Sequence, residues 1–389
     1  MGFLRDTVRA GKTVMRGKNT LFPAAIILLV LGSPVFAYQQ VIDLGALGGY
    51  QYSKATSIND NGQIVGYAYN SVDLPSNRRA CFFDSSGGGA NTNLGTLGGS
   101  QSCAYSINNN GNIVGNAIDS LGWTYYACSF DSTGGGNNKN LGYNIASCIN
   151  NKGYVVGQSG SHAIVSTKPE QTWPMGYDLG TLGGSASYAY SINNSYQVVG
   201  WADCVSNYPN PSHYHACLFD VPHGTNNIDL GTFGGDYSIA YSINDSGLIV
   251  GQADYSTVYT PILQSYYHAC IFDASGGGAN IDLGTLGGLK SAALFVNNEN
   301  QVVGYASDSS GQRKACLFDS TGQGNNINLN DLIDPSSGWI LESANCINNN
   351  GWIVGYGTYN GLDQAFLLTP EPTSAILLVI GATLLRRKK

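Results

Sequence analysis

The sequence predicts an all-β protein, a seven-bladed β-propeller with four antiparallel strands in each blade. Three observations predict this fold: a composition typical of short strands, a set of motifs that recurs seven times, and a displaced strand motif that would close the ring. The chain has 389 residues, including 52 glycines and 25 tyrosines, and only 11% of its residues are charged. Such a composition favours strands joined by tight turns over helices, which need more lysine and glutamate.

The repeat consists of four elements, each predicted to be one strand of a blade. The first ends in Ile-Asn, the second contains Val-Gly, the third surrounds Ala-Cys-x-Phe-Asp and the fourth reads Asp-Leu-Gly. The Ile-Asn element occurs at Ile58, Ile107, Ile149, Ile192, Ile243, Val296 and Ile347, with spacings of 49, 42, 43, 51, 53 and 51 residues. Four short strands in a unit of this length are typical of a propeller blade.

The order of the elements predicts how the ring closes. After a third strand, the fourth element occurs only six times, with its leucine at Leu94, Leu141, Leu179, Leu230, Leu283 and Leu329. The seventh copy, Val41–Leu44, lies near the start of the chain, and the last repeat stops after its third strand, residues 365–368. The N-terminal strand is therefore expected to complete the last blade, which leaves no open sheet edge.

Both ends of the chain are predicted to be targeting segments outside the propeller. Residues 1–37 contain a basic region, an apolar run over 21–31 and a small-residue cleavage site ending at Ala37, which indicates a signal peptide. The propeller is assigned to residues 38–369. Residues 370–389 contain Pro370, Glu371 and Pro372, then an apolar stretch and a basic end. The alternatives are an uncleaved anchor at the N terminus and a simple membrane anchor at the C terminus.

The tail resembles the PEP-CTERM sorting signal of Gram-negative bacteria. The resemblance implies recognition by an exosortase-type sorting protease, cleavage near Pro370–Pro372 and transient anchoring in the inner membrane, where the apolar stretch would form a transmembrane helix. It implies a location at the cell surface or in the extracellular matrix.

The repeats over about residues 41–369 resemble the HAF family of extracellular repeats, named after a His-Ala-Phe tripeptide. The versions here that keep the histidine are His162-Ala163-Ile164, His215-Ala216-Cys217 and His268-Ala269-Cys270. This resemblance implies a secreted or surface β-protein and no particular reaction.

Charge and motifs exclude several functions. Between the basic ends, nine basic residues stand against 23 acidic ones, a net charge of about −14, so no partnership with nucleic acid is expected. Motifs of hydrolases, zinc proteases and nucleotide-binding loops are absent from the sequence. No catalytic residue, metal ligand or cofactor is therefore assigned. Calcium binding by the Asn/Asp-rich hairpins is the alternative, although each hairpin has at most one acid, fewer than strong calcium loops carry.

Repeated polar residues are expected to have structural roles. The aspartates that end third strands are interpreted as turn caps: Asp84, Asp131, Asp220, Asp273 and Asp319. The repeated histidines are expected to make hydrogen bonds at blade edges. Nine cysteines, five at one blade position, are interpreted as buried thiols rather than disulfides or zinc ligands, with Cys204 in a loop.

The candidate binding surface is the face that carries the connections between second and third strands. These connections vary in length and are rich in aromatic residues, and variable loops on a rigid scaffold commonly carry function. The candidate ligand-binding residues are Tyr67, Tyr69, Trp123, Tyr125, Tyr126, Trp201, Tyr208, Tyr214, Tyr259, Tyr266 and Tyr267, with Tyr255 beside them. The alternative is that many of these rings pack between blades.

Three functions remain open from the sequence. The first is a non-enzymatic surface module that binds extracellular polysaccharide or protein partners. The second is a secreted polysaccharide lyase or hydrolase, which requires two carboxylates roughly 5–10 Å apart in a central funnel. The third is a structural surface-coat protein.

Overall fold

The seven repeats form seven four-stranded antiparallel sheets, which are the blades of a β-propeller. A computed structural model describes residues 38–70, 77–122, 124–166, 176–205, 213–259 and 263–370. Each blade runs from its first strand through the second and third to the fourth. The first strands lie at the ring centre, because their ends from all seven blades line one cavity. The predicted fold class is confirmed.

The strands are numbered along the chain, and blade 1 begins with β2. The first strands of blades 1 to 7 are β2 (Tyr52–Ile58), β6 (Gly98–Ile107), β10 (Ile145–Ile149), β14 (Gly183–Ile192), β18 (Ser238–Ile243), β22 (Gly287–Val296) and β26 (Trp339–Ile347). The second strands are β3 (Ile64–Tyr69), β7 (Ile113–Asp119), β11 (Val155–Ser159), β15 (Val198–Cys204), β19 (Ile249–Tyr259), β23 (Val302–Asp308) and β27 (Ile353–Tyr359).

The third strands are β4 (Arg79–Phe83), β8 (Tyr125–Phe130), β12 (His162–Ser166), β16 (Tyr214–Phe219), β20 (Leu263–Phe272), β24 (Arg313–Phe318) and β28 (Leu362–Pro370). The fourth strands are short: β5 (Thr92–Asn93), β9 (Lys139–Asn140), β13 (Gly176–Asp178), β17 (Ile228–Asp229), β21 (Ile281–Gly284) and β25 (Ile327–Asn328). Two 3₁₀ helices, Leu329–Leu332 and Pro335–Ser337, connect blades 6 and 7.

The fourth strand of blade 7 is β1 (Tyr38–Asp43), as the order of the motifs predicts. It pairs antiparallel with β28, and Val41 lies opposite Leu368. The Leu44 amide then donates to the Ala365 carbonyl oxygen at 3.0 Å, in the way that Leu230 donates to Ala216 in blade 4 at 2.9 Å. The two ends of the described chain therefore share one sheet.

The glycine of each Val-Gly element lies opposite a bulge in the first strand of the same blade, and the bulge leaves no room for a side chain. In blade 4 the pairing of β14 with β15 shifts between Ala189 and Ser191, and Gly200 lies opposite Ala189. A Cβ on Gly200 would lie 1.8 Å from the Tyr188 carbonyl oxygen. No side chain fits in that gap, so the glycine permits the close approach of the two backbones.

A ring of asparagine side chains joins the blades at the ends of the first strands. Asn59 donates from Nδ2 to the Asn108 carbonyl oxygen of the next blade at 2.8 Å. Asn348 donates to the Asn59 carbonyl oxygen at 3.0 Å, which closes the ring between blades 7 and 1. The intermediate donors are Asn108, Asn150, Asn193, Asn244 and Asn297. The Asn of each Ile-Asn element is therefore an inter-blade contact.

Apolar side chains fill the spaces between neighbouring blades. The cluster between blades 7 and 1 contains Leu44, Phe83 and Leu367, all within 1% of complete burial. All nine cysteines lie within the described ranges and are free thiols, seven of them buried, which confirms their interpretation as small apolar residues for that majority. Cys204 differs from the expectation, because it ends strand β15 instead of lying in a loop.

The predicted targeting segments lie outside the described residues, except for Pro370, which ends β28. Residues 1–37 and 371–389, including Ala37, Glu371 and Pro372, are not among them. Over the described part of the chain, no helix has the length and apolar character needed to cross a membrane.

Candidate functional site

Nine of the eleven predicted aromatic residues are among the described residues, and these nine lie on strands rather than in the connections. Tyr67 and Tyr69 belong to β3, and Trp201 belongs to β15. The third strands β8, β16 and β20 contain Tyr125, Tyr126, Tyr214, Tyr266 and Tyr267. Tyr259 ends β19, with its side chain outside the described part, and Trp123 and Tyr208 lie outside the described residues.

Some of these rings pack within or between blades. Tyr69 is 7% exposed, stacks on Tyr52 at 5.2 Å and donates from its hydroxyl to Asp363 Oδ2 at 2.7 Å. Trp201 and Tyr214 contact each other with their ring centroids 5.2 Å apart. Tyr125 is 37% exposed, and its hydroxyl donates to Gln101 at 2.6 Å. Tyr69 therefore packs between blades, as the alternative expects, whereas Tyr125 is accessible to solvent; a binding role for these residues stays a prediction.

Three positions of the repeat lie close together at the contact between one blade and the next. They are on the part of the blade nearest the face that carries the connections between second and third strands. The first position follows the Val-Gly glycine: Tyr67, Asn116, Gln158, Trp201, Gln252, Tyr305 and Tyr356. The second lies two residues before the alanine of the third strand: Arg78, Tyr125, Ser161, Tyr214, Tyr267, Arg313 and Asp363. The third lies four residues before the end of the first strand in the next blade: Cys103, Ile145, Tyr188, Ile239, Ala292, Ser343 and Lys54.

The contact between blades 6 and 7 carries an arginine stacked on a tyrosine. The Arg313 guanidinium carbon lies 3.5 Å from the ring centroid of Tyr305, and its Nη2 donates to Ser343 Oγ in blade 7 at 2.9 Å. Arg313 is exposed. The guanidinium is therefore held in place while it still faces solvent.

The contact between blades 1 and 2 also pairs an arginine with a tyrosine ring. The Arg78 guanidinium carbon lies 5.1 Å from the Tyr67 ring centroid, and the Arg78 side chain also forms a hydrogen bond with the Cys103 side chain in blade 2. Burial, with a smaller effect of Cys103, raises the pKa of Tyr67 to about 12. The Tyr67 side chain is therefore neutral at neutral pH and presents an uncharged ring to the Arg78 guanidinium.

The contact between blades 7 and 1 lies between these two. Lys54 Nζ lies 3.6 Å from the Tyr356 ring centroid and 3.7 Å from Asp363 Oδ2. Burial lowers the pKa of Lys54, and the nearby Asp363 carboxylate opposes part of that effect. The Asp363 carboxylate also accepts a hydrogen bond from the Tyr69 hydroxyl, so it interacts with both Lys54 and Tyr69.

These three contacts form one continuous surface, which we call the tyrosine–cation arc. It consists of Tyr305, Arg313, Tyr356, Lys54, Tyr67 and Arg78. Of the eight lysines and arginines in the described residues, three lie in this arc, although the body of the protein is strongly acidic. Lys290 lies nearby, 5.5 Å from the Tyr267 ring centroid.

Sequence reasoning identified Tyr67 but missed the other five members of the arc. Aligning the seven repeats with one another could have indicated five of the six residues, because Tyr67, Tyr305 and Tyr356 occupy one position of the repeat and Arg78 and Arg313 occupy another. The third position belongs to the next blade, and the aligned repeats do not show that it contacts the first two. Tyr267, which was predicted, extends the surface through its hydroxyl, 3.1 Å from that of Tyr305.

The opposite end of the ring holds a cavity of about 150 Å³, lined by the Ile-Asn ends of the first strands. Its polar groups are already engaged between blades. The Asp60 carboxylate accepts from the Asn109 Nδ2 at 2.8 Å and from the Asn349 backbone and side-chain amides at 2.9 Å. An oxygen that accepts amide hydrogens is poorly placed to bind a cation, so the Asn/Asp hairpins act as blade connectors.

The repeated aspartates and histidines have the structural contacts expected of them. Asp131 accepts the amide and hydroxyl of Thr133, which lowers the pKa of Asp131 to about 2 and caps the turn after its third strand. His162, His215 and His268 each place Nδ1 within 3.0 Å of an aspartate on the fourth strand of their own blade. Burial lowers the pKa of His215, but its bonds with Asp229 and Cys204 outweigh that effect and raise it to about 10.

The carboxylates beside the arc do not favour the hydrolase alternative. Asp363 is engaged by Tyr69 and Lys54, and Glu342 accepts the Thr358 hydroxyl at 2.6 Å. General acid–base catalysis of glycoside cleavage needs one free carboxylate and one carboxylic acid on opposite sides of the bond. The fold and this surface are consistent with a binding or structural module.

Comparison with known proteins yields one family. A family model described as "Protein of unknown function (DUF3466)" matches residues 39–121 and 230–367, more than half of the chain. The matched segments cover blade 1, the first two strands of blade 2, and the region from just after the last strand of blade 4 into the third strand of blade 7. No curated protein and no solved structure was found to match the chain.

Proposed function

This chain belongs to the DUF3466 family, and we propose that it is an exported, surface-associated propeller that binds an extracellular polysaccharide through the tyrosine–cation arc. The observation that carries the proposal is the repeated stacking of Arg313 on Tyr305 and of Arg78 on Tyr67, on either side of Lys54 and Tyr356. Rigid cations between aromatic rings suit a chain of sugar rings that carries acidic groups.

The chemistry of the arc favours an acidic polysaccharide over a neutral one. Arg313 presents a planar fork of donors that matches a carboxylate or sulfate, and the stacking on Tyr305 reduces the entropy lost when it binds. An acidic ligand would be repelled by the rest of the acidic body, so binding would be confined to the arc. A protein partner with an acidic surface is the second candidate, and the binding experiment distinguishes the two.

The export part of the proposal depends on the ends of the chain. We propose that residues 1–37 are removed as a signal peptide after Ala37 and that residues 370–389 act as a PEP-CTERM-like tail. An exosortase-type protease would then cleave near Glu371, after transient anchoring in the inner membrane. The repeats would be of the HAF extracellular type, and the mature protein would reside at the surface or in the matrix of a Gram-negative bacterium.

The binding test is a titration of the purified protein with acidic and neutral polysaccharides immobilised on one array, with acidic proteins as a third set. Arg313→Gln and Arg78→Gln are each expected to weaken binding of the acidic polysaccharides at least tenfold, since each removes a charge and a stacked group. Lys152→Gln is the matched control, because Lys152 is exposed on an Asn hairpin at the opposite face. It is expected to leave binding unchanged.

The salt dependence of binding adds an independent readout. Affinity for an acidic polysaccharide is expected to fall as the salt concentration rises, and the slope is expected to be smaller for Arg313→Gln. Binding to no polysaccharide, or equal losses for Lys152→Gln and Arg313→Gln, would refute the role of the arc. Binding to acidic proteins alone would replace the polysaccharide by a protein partner.

The export test uses the full chain expressed in a Gram-negative host with and without an exosortase. Cell fractionation with mass spectrometry of the termini is expected to find a mature N terminus near residue 38 in exported material. Loss of the C-terminal tail is expected only when the protease is present. A cytoplasmic protein with both ends intact would contradict the proposed export.

A further inference from the structure

The outer edge of blade 4 carries a group of three side chains that sequence spacing does not reveal. Cys204 ends the second strand, His215 lies in the third strand and Asp229 ends the fourth. The Cys204 sulfur, a ring nitrogen of His215 and a carboxylate oxygen of Asp229 all lie within 4.8 Å of one another. We propose that these three residues bind one Zn²⁺ ion, independently of the proposed polysaccharide surface.

The donor types fit zinc better than the hard cations. Thiolate, imidazole and carboxylate are the zinc ligands of proteins, whereas calcium and magnesium prefer sets made only of oxygen. Three protein ligands leave the fourth position of a tetrahedral ion for water. Metal binding would displace the thiol proton and any proton on the ligating nitrogen, so the affinity is expected to rise with pH.

The geometry needs only a small adjustment. The bond lengths of tetrahedral zinc place its ligand atoms roughly 3.3–3.6 Å apart. His215 Nδ1 now lies 2.8 Å from Asp229 Oδ2, so these two groups would separate slightly as the ion enters. The Asp229 carboxylate is oriented by the Gly231 amide, which donates to Oδ1 at 2.8 Å.

Solvent can reach the group. The side chains of His215 and Asp229 are 22% and 46% exposed, and Cys204 is half-buried. Its backbone is held in place, because the Cys204 amide donates to the His213 carbonyl oxygen at 2.8 Å. The thiol is therefore positioned at an accessible edge, unlike the seven cysteines that are buried.

The other blades provide an internal comparison. Blades 3 and 5 have the same histidine–aspartate pair, His162 with Asp178 and His268 with Asp282. In blade 5 the position of Cys204 is occupied by Tyr255, and in blade 3 the second strand already ends at Ser159, which pairs with His162, so no residue corresponds to Cys204 there. In blade 5 the Tyr255 hydroxyl donates a hydrogen bond to Asp282, so this blade has a hydroxyl where blade 4 has the sulfur ligand. Within the described residues, the thiol distinguishes blade 4 from its neighbours.

The test is a titration of the reduced, metal-free full chain with Zn²⁺, followed by native mass spectrometry and calorimetry. One tightly bound ion per chain is expected. Cys204→Ser and His215→Gln are each expected to raise the dissociation constant at least tenfold. The matched control, His268→Gln, removes the equivalent histidine of blade 5 and is expected to leave zinc binding unchanged.

Cobalt binding tests directly whether the Cys204 thiolate is a metal ligand. Co²⁺ added to the full chain is expected to give a thiolate-to-metal absorption band that Cys204→Ser removes, and thermal unfolding without metal checks that each variant is folded. Absence of tight zinc binding would overturn the proposal. Zinc or cobalt signals that survive both Cys204→Ser and His215→Gln would overturn it as well.

Discussion

Replacement of Leu44 by alanine measures how strongly the N-terminal strand holds the ring closed. Leu44 is completely buried in the cluster between blades 7 and 1, and its amide donates to Ala365. A buried leucine-to-alanine change costs about 2–5 kcal/mol, from lost burial and from the cavity. If the loss is about 3 kcal/mol and the denaturant slope in urea is about 3 kcal/mol/M, the midpoint falls by about 1 M.

The matched control is Leu230→Ala, at the equivalent position of blade 4, where the fourth strand follows the third along the chain. Leu230 is 1% exposed, and its amide donates to Ala216 as that of Leu44 does to Ala365. Urea unfolding followed by tyrosine and tryptophan fluorescence is expected to give similar shifts for the two variants. An unchanged midpoint for Leu44→Ala beside a lowered one for Leu230→Ala would refute closure by the N-terminal strand.

Thiol labelling of the same variants shows which apolar cluster is loosened by the substitution. Cys81 and Cys346 belong to the cluster that contains Leu44, whereas Cys270 belongs to the cluster that contains Leu230. In Leu44→Ala, the first two thiols are expected to react faster with a cysteine reagent, as measured by mass spectrometry, because the adjacent packing opens locally. Faster reaction at Cys270 instead would contradict the assigned packing.

Three further changes test other contacts. Asn348→Ala is expected to cost about 1–3 kcal/mol in urea unfolding, because it removes the bond to the Asn59 carbonyl oxygen and leaves the Asn350 and Trp352 amides without their acceptor, Asn348 Oδ1; a neutral result would contradict the ring. Gly115→Ala is expected to lower the melting temperature, because its Cβ would lie 2.0 Å from a backbone oxygen, whereas Gly48→Ala, with no atom within 4 Å, is expected to leave it unchanged; equal melting temperatures for the two would argue against the close approach. His215, with its pKa raised to about 10, stabilises the fold below its ordinary pKa, and this contribution is lost as pH rises through about 10. NMR titration without metal is expected to show this raised pKa and its decrease in Asp229→Asn; an unchanged value in that variant would contradict the assigned pair.

Much of the fold could be predicted because the repeat makes each local signal visible seven times. The turn glycines Gly62, Gly111 and Gly351 all have positive φ, as the hairpin motif requires. The bulge opposite the Val-Gly glycine was not predicted, because one sequence does not show which carbonyl approaches it. The sequence predicts the candidate aromatic residues in connections, whereas the structure extends the strands to include those among the described residues.

The sequence by itself determined the number of blades, the strand order and the closure, since these follow from motifs that recur along the chain. Only the tertiary structure decided which side chains meet across blades. Arg313 reaches Ser343 in the next blade, and Asn348 reaches Asn59 across the closure of the ring. These two contacts join residues that are 30 and 289 positions apart in the sequence, and no local periodicity encodes them. The tyrosine–cation arc and the Cys204–His215–Asp229 group exist for the same reason: strands distant in sequence are brought within a few ångströms by sheet pairing and blade packing.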